Sequence, residues 1–212
     1  MKGLFIAFEG IDGCGKSTQV WKTAKYLADK SKYNHVVVTR EPYKNQDIRK
    51  ILQSEDDPYS QAMNLAELYI EDRKRHAEEI LNPNLEKGCI VISDRYILST
   101  FAYQQAQGIS MDKLVKMHNT GSLLPFPDIT FVVDVPAEVA IERMKKDMGR
   151  NVEQKFEKNA EFISKIRNNY IELARPNNYN PALIDGRKSI EEIFEIDIKP
   201  KLDVLWSSYT KA

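Results

Sequence analysis

Gly10, Gly15, Lys16 and Ser17 occupy the fixed positions of a G-x-x-x-x-G-K-[ST] pattern, a loop whose glycines let successive backbone N–H groups turn inward around a polyphosphate. The nucleotide-binding segment would be Gly10, Ile11, Asp12, Gly13, Cys14, Gly15, Lys16, Ser17 and Thr18. Lys16 would reach the β- and γ-phosphates, Ser17 would offer its hydroxyl to Mg²⁺, and the next helix would aim its positive N-terminus at the anion. A magnesium nucleotide is the expected ligand. Asp94 and Arg95 stand at the end of the third apolar run. A carboxylate there can hold the hydration shell of magnesium, and a guanidinium fork can grip two phosphate oxygens. A helix cap and a surface ion pair are the plainer readings of the same two residues. Tyr69 and Arg73 are four apart and share a helix face, so a ring could stack on a base while the guanidinium donates to its carbonyl. From spacing alone Tyr69 is equally a core aromatic.

The surrounding pattern supplies the elements such residues need. Apolar runs over 4–9, 36–39, 89–94, 129–135 and 182–185 read as strands, and the segments between them carry helical periodicity. Helices are expected to about residue 30, on a short stretch holding Ile48, Ile51 and Leu52, and on a long one capped by Ser60 and broken at Asn82-Pro83. Further helices are expected over 98–107, over 111–119 with Ser110 as cap, over 137–148, over 152–174 and over 189–207. Five apolar strands alternating with helices predict an α/β fold with a parallel sheet covered on both faces and a ligand at the carboxyl ends of the strands.

Composition narrows the class. The 212 residues, 42% of them hydrophobic, suit one core rather than two. Lys+Arg and Asp+Glu balance at 31 each, so no global field favours nucleic acid or an anionic membrane. The first apolar run is too short for a secretory signal and no later one reaches spanning length, so a soluble, cytoplasmic protein is expected. Two cysteines fit a reducing compartment, and three scattered histidines offer no zinc spacing.

The motifs together resemble the thymidylate kinase family, P-loop enzymes that pass a phosphoryl group from ATP to dTMP. The likeness is carried by the run from Phe8 to Gln19, by Thr39-Arg40-Glu41-Pro42, and by Asp94-Arg95-Tyr96 with Ala102-Tyr103-Gln104. Pro127-Asp128-Ile129-Thr130, Asp134 and Glu142-Arg143 before a basic stretch complete it. The resemblance implies one P-loop kinase domain over 1–212, an acceptor region at about 40–80 and 94–107, and a lid at about 143–156. It further implies ATP with Mg²⁺ as donor, dTMP as acceptor, dTDP and ADP as products, dTTP supply as the cellular role, and a homodimer. Lys16, Asp94, Arg95 and Arg150 would be catalytic, and Ser17 and Asp94 would hold the metal, partly through water. Asp12, Arg40, Arg49, Tyr69, Arg73, Arg95, Ser99, Thr100, Tyr103 and Gln104 would bind dTMP.

The chain departs from the family pattern twice. Tyr43-Lys44-Asn45 stands where glycines are usual, and Gly13 stands where some members carry an arginine. The second departure shifts the expected transition-state cation to the lid, where Arg150 follows Gly149. Rival readings are a nucleotide or deoxynucleoside kinase with another acceptor, and a nucleotide-binding switch without one.

Overall fold

The computed structural model describes residues 3–54, 57–119, 124–146 and 160–210. Five strands form one wholly parallel sheet: β1 (Leu4–Glu9), β2 (Val36–Arg40), β3 (Ile90–Asp94), β4 (Ile129–Asp134) and β5 (Pro181–Asp185). Their order is β2-β3-β1-β4-β5, the expected α/β architecture. All six residues of β1 are buried, because crossover helices cover both faces of a parallel sheet. Leu4, Ile6 and Phe8 enter one core and Phe5 and Ala7 the other, as the two-residue period of a strand requires. The first core takes Val20, Ala24 and Leu27 from α1 (Lys16–Asp29) and Leu202 from α10 (Lys199–Tyr209). The second takes Leu65 and Ala66 from α3 (Ala62–His76), Phe101 and Ala102 from α5 (Ile97–Ala106), and Phe162 and Ile166 from α8 (Ala160–Leu173).

Chain order reverses around β1, whose neighbours are β3 on one side and β4 on the other. Such a reversal opens a crevice at the carboxyl ends of the strands. Register places Phe8 and Arg40 on either side of Asp94, so the phosphate loop, the second motif and the Asp94-Arg95 pair leave the sheet together.

Several boundaries differ from the sequence reading. Ser60 does not cap α3; its hydroxyl donates back to the Asp57 carbonyl, and α3 begins after Gln61, whose φ is +58°. Asn82-Pro83 does not stop the chain from coiling. A π-helical turn (Ala77–Leu81) feeds α4 (Asn82–Glu86), and Pro83, which has no N–H to donate, follows directly on that widened turn. Ser110 precedes α6 (Met111–His118) without a side-chain capping bond. Ser189 does form a capping box with Glu192, ahead of α9 (Ile190–Glu192) and a second π-helical turn (Ile193–Ile198) that interrupts the expected closing helix. Among the described residues no helix is long and apolar enough to cross a membrane.

Candidate active site

The phosphate loop takes its shape from positions that exclude a side chain. Gly10 and Gly13 have φ of +138° and +79°, and a Cβ on Gly13 would lie 2.4 Å from the Ala140 carbonyl oxygen of α7 (Ala137–Lys146). Gly10 and Ile11, expected to bind the nucleotide, do not line the cavity. Asp12, Gly13, Cys14, Gly15, Lys16, Ser17 and Thr18 line a cavity of about 1350 Å³, larger than the 300–1,000 Å³ usual for one small-molecule site. Cys14 is buried, and burial pushes its thiol pKa up, which makes it a packing group rather than a nucleophile.

Charge is concentrated where the loop meets the end of β3. Arg95 Nη2 lies 2.8 Å from Asp12 Oδ1, and Lys16 Nζ lies 3.3 Å from the same oxygen. Enclosure pushes the Asp12 carboxyl up, but Arg95 and then Lys16 outweigh it and hold its pKa far below the usual range. Arg95 has φ +74°, a left-handed conformation that a non-glycine residue seldom adopts. Its backbone N–H is bound to the Phe8 carbonyl at 2.8 Å. Asp94 Oδ2 accepts from Ser17 Oγ at 2.8 Å and meets Arg40 Nη2 at 3.4 Å. Asp94 Oδ1 is buried with no hydrogen-bond partner among the described residues.

The opposite wall carries the expected acceptor residues. Tyr69 lines the cavity half-buried, and its enclosure pushes the phenol up to about 12. Arg73 lines it from one turn away but is 1% exposed, because Glu41 holds Nε at 2.8 Å and Nη2 at 2.5 Å. Thr100 Oγ1 and the Tyr96 carbonyl each accept from Arg73 at 3.0 Å. Tyr103 Oη lies 3.1 Å from Arg95 Nη2, and Gln104 is wholly buried at the cavity edge. Arg40 and the exposed Arg49 of α2 (Gln46–Ser54) line the outer side. Ser99 also lines the cavity, but its hydroxyl donates to Glu9 at 2.5 Å and accepts from Arg95 at 3.1 Å. Arg150 and most of the expected lid lie outside the described residues.

Two residues that help to organise this site, Asp72 and His118, escaped the sequence reading. Asp72 accepts the backbone N–H groups of Tyr43, Lys44 and Asn45, so one buried carboxylate fixes that loop. His118 binds Arg73 Nη1 through Nε2 at 2.9 Å and the Leu114 carbonyl through Nδ1 at 2.7 Å. Arginine only donates and a carbonyl only accepts, so the imidazole is neutral, with its proton on Nδ1. Burial, then Arg73, lowers its pKa to about 3. Arg143 of α7 donates to the Cys14 carbonyl at 3.4 Å and the Gly186 carbonyl at 3.0 Å, joining the phosphate loop to the wall formed by residues 186–190.

A parallel sheet with a phosphate loop at its switch point, and a cationic centre between that loop and a second binding wall, defines a P-loop phosphotransferase with room for donor and acceptor. The thymidylate kinase family model matches residues 8–196. A thymidylate kinase of Carboxydothermus hydrogenoformans is 37% identical over 199 residues, covering 92% of this chain and 94% of that one. One from Thermosipho africanus is 35% identical over 195 residues, covering 90% and 94%. The crystal structure of thymidylate kinase from Ehrlichia chaffeensis superposes with a TM-score of 0.68 at 29% identity, over 97% of this chain and 99% of that one. The chain belongs to the thymidylate kinase family.

Proposed function

We propose that this protein transfers the γ-phosphoryl group of ATP to dTMP, forming dTDP and ADP for dTTP supply. The observation that carries the reading is the position of Arg95. It binds Asp12 of the phosphate loop and Tyr103 of the acceptor wall, between the two halves of one cavity. ATP would occupy the loop from Gly10 to Thr18. The dTMP base would lie against Tyr69, with Arg73 and Thr100 beside it, its sugar near Tyr103 and Asp12, and its phosphate within reach of Arg40, Arg49 and Arg95.

A dTMP phosphate has a second pKa of about 6 and is already nucleophilic at neutral pH, so no general base is needed. Lys16 and Arg95 are fixed cations aimed at the charge that spreads over the moving phosphoryl group. Arg150 is the lid cation of this reading. Ser17 and Asp94 would hold Mg²⁺, partly through water, and the unpartnered buried Oδ1 of Asp94 fits that role. When bound, the ion neutralises charge on the β- and γ-phosphates.

The reading extends to a cytoplasmic homodimer with no nucleic-acid or membrane partner. Balanced charge and two free, buried thiols support it, and sedimentation tests the dimer. Lys16→Met tests the transfer itself. The loop is shaped by its glycines, so the variant should melt near the wild-type temperature yet form no dTDP from ATP and dTMP. A variant that still turns over at the wild-type rate would defeat the assignment.

A further inference from the structure

Two amides at the base end of the cavity have their direction set by the backbone. Gln107, at the end of α5 and 7% exposed, places Nε2 2.7 Å from the Pro58 carbonyl oxygen and 3.5 Å from that of Ser60. Carbonyls only accept, so the Gln107 NH₂ group must face the 58–60 turn. Its Oε1 therefore faces Gln104, whose Nε2 donates to it at 3.0 Å. The Gln104 oxygen is left over. It is buried, without a hydrogen-bond partner among the described residues, on a side chain that lines the cavity. An unmet buried acceptor costs about 1–3 kcal/mol, which a ligand donor would recover.

We propose that Gln107 is a positioning residue for base recognition: by taking one hydrogen of the Gln104 amide it fixes which way that amide is turned and leaves the Gln104 oxygen as the acceptor for the base, so the site selects a pyrimidine that carries a ring N–H over one that carries a ring lone pair. This rests on the proposed dTMP kinase activity and adds a residue that acts without touching the substrate. Thymine and uracil have that imino N–H. Cytosine presents a bare nitrogen, and oxygen would then face lone pair. A freely turning Gln104 would bind either base by rotating its amide. Locked, it rejects cytosine, because a site built to satisfy one hydrogen-bonding pattern discriminates strongly against the reversed one.

The test measures kcat/KM for dTMP, dCMP and dUMP with wild type, Gln107→Met and Gln107→Glu. Methionine keeps the volume and removes the lock. The dTMP-to-dCMP ratio should fall about tenfold or more, while the dTMP-to-dUMP ratio, which turns on the methyl group, stays within about twofold. Glutamate, protonated on the oxygen that faces the Pro58 carbonyl, still accepts from Gln104 Nε2 with the other, so it should keep the dCMP discrimination, and it carries the test if the methionine variant does not fold. A dTMP-to-dCMP ratio unchanged in Gln107→Met, or lost in Gln107→Glu, overturns the proposal. A wild-type protein that phosphorylates none of the three fails on the kinase reading instead.

Discussion

Glu9 and Arg95 act on each other through two shared hydroxyls. Ser99 Oγ and Tyr170 Oη accept from Arg95 Nη1 at 3.1 and 3.3 Å, and both donate to Glu9 Oε2, at 2.5 and 3.1 Å. The other carboxylate oxygen accepts from the backbone N–H groups of Tyr96 and Ser99 at 2.8 and 3.1 Å. Burial raises the Glu9 pKa, and these bonds together with Arg95 oppose the rise. The buried carboxylate thus anchors both the start of α5 and the guanidinium at the centre of the cavity.

Glu9→Gln would present an amide to groups that donate, and Arg95 would lose its anchored posture. We expect kcat to fall by about 10- to 100-fold with the dTMP KM within about threefold, the signature of a transition-state contact. Steady-state kinetics below the melting temperature of the variant checks this. A raised dTMP KM with kcat unchanged would place the effect on substrate binding instead.

Tyr69 is half-buried against the cavity rather than sealed in the core. Tyr69→Ala should therefore weaken dTMP binding by roughly 1–3 kcal/mol, by analogy with base–aromatic stacking, while ATP binding is unchanged. Titration calorimetry with each nucleotide measures it. Unfolding with unaltered dTMP affinity in the folded fraction would make Tyr69 a core residue.

The loop and sheet were legible in the sequence because their signals are local: an apolar run, glycines at fixed spacing, Asp94 at a strand end. The polar interior was not. Glu9 meets Tyr170 across 161 positions and Arg73 meets Glu41 across 32, and such partners leave no periodic trace. Read singly, Asp72 and His118 look like solvated helix positions, and both are buried. Arg73 lines the cavity, but its ion pair with Glu41 depends on where β2 ends. The Ser60 cap failed for a related reason: the serine satisfies its own turn, and α3 begins beyond it.

Neutral His118 makes stability depend on pH. Its native pKa is near 3, whereas an unfolded histidine titrates near about 6.5. Between those values the unfolded chain binds the extra proton, so stability is complete above about 6.5 and declines as pH falls towards 3, by at most about 1.4 kcal/mol per pH unit. Glu9, with its raised pKa, acts in the opposite sense but is common to wild type and variant. Urea midpoints of wild type should therefore fall more steeply from pH 7 to pH 5 than those of His118→Gln. Parallel curves would remove His118 from the balance.

An arginine at position 13 is barred here, since even its Cβ would strike the Ala140 carbonyl. Any cation beyond Lys16 and Arg95 would have to come from elsewhere, and Arg150 is the residue proposed for it. Arg150→Ala should lower kcat by something approaching 10³-fold with little change in the dTMP KM. Arg143→Ala should instead raise the ATP KM, because Arg143 ties the phosphate loop to Gly186. A kcat for Arg150→Ala within about threefold of wild type, the scatter of a solvated surface substitution, would transfer the role to Arg143 or a lysine.

The most direct measurement of the central claim is a coupled assay of kcat/KM with ATP and Mg²⁺, comparing dTMP with AMP and identifying dTDP by chromatography. Tyr69, Arg73, Thr100 and Gln104 line the cavity together, and in the proposed reading they are the polar wall that meets the base. The account predicts that dTMP exceeds AMP by at least about 10²-fold. Equal rates for the two acceptors, or ATP hydrolysis without dTDP, would contradict it.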